Sequence, residues 1–242
     1  TDARSWSSSS CFSGGLSAQP ARDGALWLLT RGGLMRRASD GSGRNWIFTQ
    51  EQRLQPGGPL AATPDGGLWF GRPVVLRTAS GEFATEPWVD PLDGPSRPVL
   101  HASDEGVWIG HRGLTWLGND GRRARTDAQS ALHDNALPSD NVLSILEAAD
   151  GSLWVGTDQG LGRRVDDVWS LELLGEAVTG LMEDRQGGLW AILGSPLSDN
   201  RSISSGRALA HRARDEVWTF PDVPGAEHPY VNGIAEDATG GI

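Results

Sequence analysis

Short apolar runs separated by glycine-containing turns recur along this 242-residue chain. In residues 137–164, LPSDNVLSILEAADGSLWVGTDQGLGRR, an apolar run precedes an Asp-Gly turn, a second run carries a tryptophan, and a Gly-Leu pair opens a third. Short apolar runs bounded by such turns are typical of β-strands, and Asp-Gly is a strong hairpin signal. The pattern predicts strands over residues 142–147, 153–157, 160–165 and 168–173.

The same order of apolar run, Asp-Gly turn and tryptophan recurs along the chain. Its copies run from Asp23 to Trp27, Asp65 to Trp69, Asp104 to Trp108, Asp150 to Trp154 and Asp184 to Trp190. The fifth copy is interpreted as carrying two extra residues in its turn, and a partial sixth copy predicts a strand over residues 231–236. The tryptophans lie 42, 39, 46 and 36 residues apart, a spacing typical of a four-stranded propeller blade.

The repeat predicts an all-β fold, a β-propeller of four-stranded blades. The repeats cover approximately residues 11–50, 51–92, 93–130, 137–174 and 175–222, with a partial copy at 229–242. Residues 1–9 are expected to be the outer strand of a preceding blade, so the chain is expected to be a fragment with about five to six blades of a seven-bladed propeller. Residues 127–136 lack an apolar stripe and are not expected to form a stable helix.

Composition narrows the classes of function. The net charge of −10 argues against general binding to nucleic acid or to anionic membranes. The single cysteine excludes an intrachain disulfide, and neither Cys/His zinc spacings nor nucleotide-binding or nucleophile-elbow motifs are present. We therefore expect no cofactor, no metal ion and no catalytic residue in this segment.

The repeat resembles that of the two-component regulator propeller family. The segment 137–164 follows the family pattern L-P-S-x-x-V-x-S-I-x-E-D-x-D-G-x-L-W-I-G-T-x-x-G-L-x-R closely. The segments VTGLMEDRQGGLW and VNGIAEDATGGI follow it well, whereas residues 16–37, 60–77 and 97–117 follow it more loosely.

The resemblance implies a periplasmic location, in the sensor part of an inner-membrane receptor. Family members carry seven-bladed propellers ahead of a membrane helix and a histidine kinase or diguanylate cyclase module. A small-molecule or oligosaccharide ligand and a homodimeric full-length receptor are expected, with membrane attachment only through downstream segments.

The repeat distinguishes structural residues from candidate ligand-binding residues. The aspartates Asp23, Asp65, Asp104, Asp150 and Asp184 and the tryptophans Trp27, Trp69, Trp108, Trp154 and Trp190 recur at fixed places, so they are interpreted as structural. The loops just beyond the tryptophans should lie on one face of a propeller and carry Arg31, Arg72, His111, Arg112, Asp158 and Gln159. Arginine binds oxyanions bidentately, so these loops are the predicted ligand site. The histidines have no metal-ligand spacing and are expected at the surface or in loops.

Two other functions fit the same pattern. Streptogramin lyases are similar in repeat length and use a histidine with a glutamate and a magnesium ion, whereas here the W-V-G-T…G-L-x-R continuation favours the regulator repeat. A protein-interaction scaffold of the WD-repeat kind would show the Trp-Asp dipeptide, which is absent.

Overall fold

A computed structural model provides the structure of this chain. It describes residues 17–21, 23–30, 33–46, 60–63, 66–70, 75–77, 83–85, 98–119, 123–126, 137–194, 208–214, 216–222, 231 and 233–242. Within these ranges the backbone forms nineteen strands and no helix. The all-β character predicted from the repeat is therefore confirmed.

The first two sheets are antiparallel, four-stranded and ordered as in the chain. Sheet 1 comprises β1 (Ser17–Pro20), β2 (Leu26–Thr30), β3 (Gly33–Arg37) and β4 (Gly43–Trp46). Sheet 2 comprises β5 (Leu60–Ala62), β6 (Leu68–Phe70), β7 (Val75–Arg77) and β8 (Phe83–Thr85). Chain-ordered antiparallel sheets of four strands are the blades of propeller folds.

Three further sheets follow along the chain. Sheet 3 comprises β9 (Val99–Ala102), β10 (Gly106–Gly110), β11 (Leu114–Gly118) and β12 (Arg123–Thr126). Sheet 4 comprises β13 (Val142–Glu147), β14 (Leu153–Thr157), β15 (Gly160–Val165) and β16 (Val168–Glu172). Sheet 5 comprises β17 (Val178–Glu183), β18 (Leu189–Leu193) and β19 (Leu209–Arg212). The repeat bounds given above stay a prediction.

The chain divides into two compact units, and the division falls within sheet 3. Unit 1 comprises residues 1–109 and 116–123, and unit 2 comprises residues 110–115 and 124–242. In unit 1, Trp27 of sheet 1 packs in one buried cluster with Leu68 and Phe70 of sheet 2. In unit 2, Trp154 of sheet 4 packs in another with Leu189 of sheet 5. Within each unit, successive sheets therefore bury their apolar faces against each other.

The turn between the first two strands has one geometry in most sheets. Its first residue donates a backbone hydrogen bond to the fifth, and its fourth donates to the first, in the turns at 21–25, 63–67, 148–152 and 184–188. The turn of sheet 5 is thus as long as that of sheet 4, and the prediction of two extra residues is wrong. Asp184 occupies the position of Ala148, whereas Asp150 occupies that of Gln186.

Two strand predictions also fail near the end of the chain. The repeat predicts a fourth strand that carries Trp218, yet this segment makes only an isolated bridge between His211 and Thr219. Of the predicted strand 231–236, residues 231 and 233–236 are described and form no strand. A strand requires a hydrogen-bonded neighbour, and no described strand pairs with this segment. Residues 1–9, residues 127–136 and Trp88, which the repeat predicts in a fourth strand, lie outside the described residues.

Candidate ligand-binding loops

The predicted site residues that the structure describes lie in two loops of unit 2. His111 and Arg112 join β10 to β11, and Asp158 and Gln159 join β14 to β15. Arg31 and Arg72 lie outside the described residues.

The His111 loop is a tight turn with an unusual backbone. Arg112 has a φ of 48° and Gly113 a φ of 102°, and the His111 N–H donates to the Gly113 carbonyl at 2.9 Å. The left-handed region costs a residue with a Cβ about 1–2 kcal/mol. The Gly113 N–H donates to the carbonyl of Asp140 at 2.7 Å, so the segment that leads into β13 holds this turn. The exposed side chain of Arg112 is thereby presented from a fixed backbone.

The Asp158 loop is held by its own side chains and by Asn141. Thr157 Oγ1 donates to the Gly160 carbonyl at 2.9 Å and accepts the Gln159 N–H at 3.2 Å. Asn141 Nδ2 donates to Asp158 Oδ2 at 3.2 Å, while the Asp158 N–H donates to the Asn141 carbonyl at 3.3 Å. The other carboxylate oxygen, Asp158 Oδ1, is buried and accepts no hydrogen bond from the described residues.

One hydrogen-bonded chain therefore joins loops of three successive sheets. Asp140 holds the loop of sheet 3, and the adjacent Asn141 holds the loop of sheet 4. The Gln159 carbonyl in turn accepts the N–H of Gly175, which precedes sheet 5, at 3.0 Å. The predicted residues of both loops thus lie at one end of the strands of unit 2.

Sequence reasoning missed Asp140 and Asn141. Both lie in the LPSDN segment that introduces β13, and Ser139 Oγ caps this segment by accepting the Asn141 N–H at 3.1 Å. The signal was present, because Ser, Asp and Asn in sequence favour side-chain to backbone hydrogen bonds. The sequence could not identify their hydrogen-bond partners, because these lie in loops of other sheets.

The described part of the site carries charges of both signs. Arg112 supplies a guanidinium and His111 an imidazole, whereas Asp140 and Asp158 supply carboxylates. Such a set can donate to an anionic group and accept from hydroxyl groups at the same time. In the part of the chain that the structure describes, no group of three or more His, Cys, Asp or Glu side chains could hold a metal ion.

The repeat residues lie elsewhere. Trp27, Trp69 and Trp154 are buried, Trp108 and Trp190 are half-buried, Asp23, Asp104 and Asp150 are exposed, Asp184 is half-buried, and Asp65 is not described. In unit 2, Asp150 lies at the opposite end of the strands from the Asp158 loop, because the turn between the first and second strands and the loop between the second and third strands leave opposite ends of sheet 4.

Two other histidines lie in strands and not in loops. His101 lies in β9 and His211 in β19, while His133 and His228 are not described. Burial holds the pKa of His101 at about 4, so its imidazole is neutral near pH 7. His211 stacks on the ring of Trp190 with 4.2 Å between ring centroids.

Solved structures with this fold include extracellular domains of two component systems and a lyase. The extracellular domain of BT4673 from B. thetaiotaomicron, described as a hybrid two component system, is 15% identical and matches 98% of this chain and 30% of its own with a TM-score of 0.67. The extracellular domain of BT3049 from the same organism, also described as a hybrid two component system, is 16% identical. It matches 89% of this chain and 30% of its own length with a TM-score of 0.64. A streptogramin B lyase is 14% identical, and it matches 92% of this chain and 73% of its own length with a TM-score of 0.65.

These matches establish the β-propeller class predicted from the repeat. The chain spans about 30% of the length of each of the two extracellular domains. No curated protein sequence matches this chain. Among the described residues, no helix is long and apolar enough to cross a membrane.

The family predicted from the repeat matches the part of the chain that follows the family pattern most closely. The two component regulator propeller family matches residues 136–159, which run from the LPSDN segment through β13 and β14 to Gln159. This stretch contains Asp140, Asn141 and Asp158, three of the residues that join the loops described above. Residues 136–159 are therefore similar to the repeat of the two component regulator propeller family.

Proposed function

We propose that this chain is the ligand-sensing propeller segment of a bacterial membrane receptor, and that it acts outside the cytoplasm without catalysing a reaction. The hydrogen-bonded chain from the His111 loop through Asp140 and Asn141 to Asp158 carries this proposal. It fixes polar side chains of both signs at one end of the sheets without assembling an acid, a base and a nucleophile. The regulator repeat and the sensor-domain folds support the same function.

The proposed ligand is an anionic saccharide or a similar anionic metabolite. The exposed guanidinium of Arg112 would bind its acidic group, and Arg31 and Arg72 stay predicted ligand-binding residues of the repeat. The side-chain amide of Gln159, which is exposed in the same loop, would exchange a hydrogen bond with a hydroxyl group of the ligand. Transmission to a kinase or cyclase module, a periplasmic location and a homodimeric receptor belong to the same proposal.

Isothermal titration of the chain with uronic-acid oligosaccharides tests the proposal. We expect saturable binding, weakened about tenfold by Arg112→Ala, because hydrogen bonds to charged groups contribute about 1.5–3 kcal/mol. Arg164→Gln is the control, since Arg164 pairs with Asp167 in the hairpin after β15, away from these loops. Unchanged binding after Arg31, Arg72 and Arg112 are all replaced by Ala would overturn the ligand site.

The second candidate function is a lyase, which the match to the streptogramin B lyase favours. Incubation of the chain with a streptogramin B antibiotic and magnesium separates the two. Product that forms with magnesium and disappears with EDTA would support the lyase and contradict the sensor. We expect no product.

A further inference from the structure

The crossover from sheet 4 to sheet 5, residues 173–177, lies against the Asp158 loop. It joins β16 to β17. The Gly175 N–H donates to the carbonyl of Gln159 at 3.0 Å. A Cβ at Gly160 would lie only 3.2 Å from the carbonyl oxygen of Glu172, the residue with which β16 ends. The loop that carries part of the proposed ligand site therefore packs directly against this crossover.

The crossover begins with a residue in a strained conformation. Leu173 has a φ of 46°, in the left-handed region that a residue with a Cβ rarely adopts. Its carbonyl accepts the N–H of Glu176 at 3.1 Å, and its side chain packs against the buried cluster of Trp154 and Leu189. Strained residues persist where their surroundings hold them, and they concentrate at ligand sites and switches. The conformation of the crossover therefore depends on the contacts that hold it, including the one to Gln159.

Glu172 anchors an outer segment that comprises residues 216–222. Its Oε2 accepts Trp218 Nε1 at 2.6 Å. Both of its carboxylate oxygens accept Arg212 Nη1, at 2.9 and 3.1 Å, and Arg212 Nε donates to the carbonyl of Glu216 at 2.7 Å. The carboxylate next to the crossover thus holds the outer segment both directly and through Arg212.

The backbone of the outer segment is paired to β19 by one bridge. The N–H of His211 donates to the carbonyl of Thr219 at 2.8 Å, and the N–H of Thr219 donates to the carbonyl of His211 at 2.7 Å. By contrast, β16 is paired with β15 along its whole length in sheet 4. An element with so few backbone hydrogen bonds opens locally at a low cost in free energy. The attachment of the outer segment therefore depends strongly on Glu172.

We propose that the crossover couples the Asp158 loop to the outer segment, so that a ligand bound at the loop strengthens the attachment of that segment. A shift of Gln159 moves Gly175 through their hydrogen bond, and the crossover passes the shift to Glu172 and so to Trp218. A ligand that orders the loop stabilises the attached form because it binds that form more tightly than the detached one. The coupling rests on the proposed sensor function for its ligand, whereas the contacts that transmit it belong to the chain itself.

Hydrogen exchange of the Thr219 amide in the ligand-free chain tests the coupling. Gly160→Ala should speed this exchange at least threefold, because the added Cβ pushes the loop against Glu172. Gly151→Ala is the control, since Gly151 also has a positive φ and also belongs to sheet 4, but a Cβ there would have no atom within 4 Å. Equal exchange of Thr219 in the two variants would overturn the coupling.

The reverse direction gives a second test, because coupling between two sites is reciprocal. Trp218→Phe removes the indole N–H that Glu172 accepts, and it should speed exchange of the Gly175 amide at least twofold. Val217→Ala is the control in the same segment, since Val217 is 80% exposed, and it should leave Gly175 unchanged. Unchanged exchange of Gly175 in Trp218→Phe would sink the coupling, even where Gly160→Ala fails to fold.

Addition of uronic-acid oligosaccharides separates the coupling from the proposed sensor function. When calorimetry shows binding, we expect the Thr219 amide to exchange at least threefold more slowly in the presence of the oligosaccharide. Binding without slower exchange would overturn the coupling and leave the ligand site intact. Absence of binding, together with the effects of Gly160→Ala and Trp218→Phe, would support the coupling and overturn the ligand site.

Discussion

Two aspartates stabilise the same kind of turn from different positions. Asp150, third in its turn, accepts the N–H of Ser152 and pairs with Arg163. Asp184, first in its turn, accepts the N–H groups of Gln186 and Gly188 at 3.0 and 2.7 Å. It also accepts Trp190 Nε1 at 3.0 Å and lies 3.3 Å from His211 Nε2. The sequence alone assigned both aspartates to the same position of the repeat, because either position lets a short carboxylate reach the N–H groups of the turn.

The two positions should differ in what they contribute to stability. The side chain of Asp184 is only 9% exposed, against 39% for Asp150. Asp184→Ala should lower the free energy of unfolding by about 2–3 kcal/mol, since it leaves several donors without an acceptor, and Asp150→Ala by about 1 kcal/mol. Urea unfolding measures both. An equal or larger effect of Asp150→Ala would contradict the assignment of these contacts.

His101 gives the stability of unit 1 a dependence on pH. Burial lowers its pKa to about 4, below the value of about 6.5 expected in the unfolded chain. Between these values the unfolded state binds more protons, so His101 contributes stability that is present above about pH 6.5 and is lost as the pH falls toward 4.

Replacement of His101 by Gln should flatten that part of the pH profile. Between pH 7 and pH 4 the variant should lose less stability than the natural chain, by up to about 3 kcal/mol, since one pKa unit corresponds to about 1.4 kcal/mol and burial lowers the pKa of His101 from 6.5 to about 4. Melting temperatures at pH 7, 5.5 and 4 measure the difference. Parallel profiles would show that His101 is not buried in its neutral form.

At the scale of the strands, three sheets repeat one cross-strand arrangement. The repeat tryptophan lies opposite Arg36 in sheet 1, Arg163 in sheet 4 and His211 in sheet 5. In each sheet this residue covers the tryptophan ring and contacts the turn aspartate. The tryptophan and the aspartate were identified from the sequence, whereas their partner varies in type and was not.

The second strand of sheet 4 contains a glycine because sheet 5 comes very close. Any Cβ at Gly156 would clash with Ser144 Oγ and with the carbonyl oxygen of Val178, which are the donor and the acceptor of a hydrogen bond between β13 and β17. This Ser144 Oγ to Val178 bond is 2.9 Å long and buried. The glycine of the W-V-G-T motif therefore sets the distance between the two sheets.

Gly156→Ala should consequently destabilise unit 2 by about 1–3 kcal/mol, the usual range for an overpacked interior. Gly233→Ala is the control, since a Cβ there would have no atom within 4 Å. Thermal unfolding followed by circular dichroism compares the two variants. A melting temperature for Gly156→Ala equal to that of Gly233→Ala would contradict the close approach of the sheets.

For the molecule as a whole, local sequence signals predicted strands correctly, whereas a feature that depends on long-range pairing was predicted wrongly. The strands of sheet 4 were predicted to the residue for β13, β14 and β15, because turn chemistry and apolar runs are local. The last strand was predicted wrongly, because a strand also needs a paired neighbour. The matched extracellular domains are about three times as long as this chain.

The sequence by itself determined the all-β propeller class, the regulator repeat and the loops to which His111, Arg112, Asp158 and Gln159 belong. These follow from motifs that recur at a regular spacing, and such motifs need no knowledge of distant contacts. Only the tertiary structure decided that Asp140 and Asn141 join those loops and that Asp184 is equivalent to Ala148. It alone also brought Glu172, Arg212 and Trp218 into contact. The reason is physical: these relations depend on which sheets pack together, and residues tens of positions apart meet only after that packing.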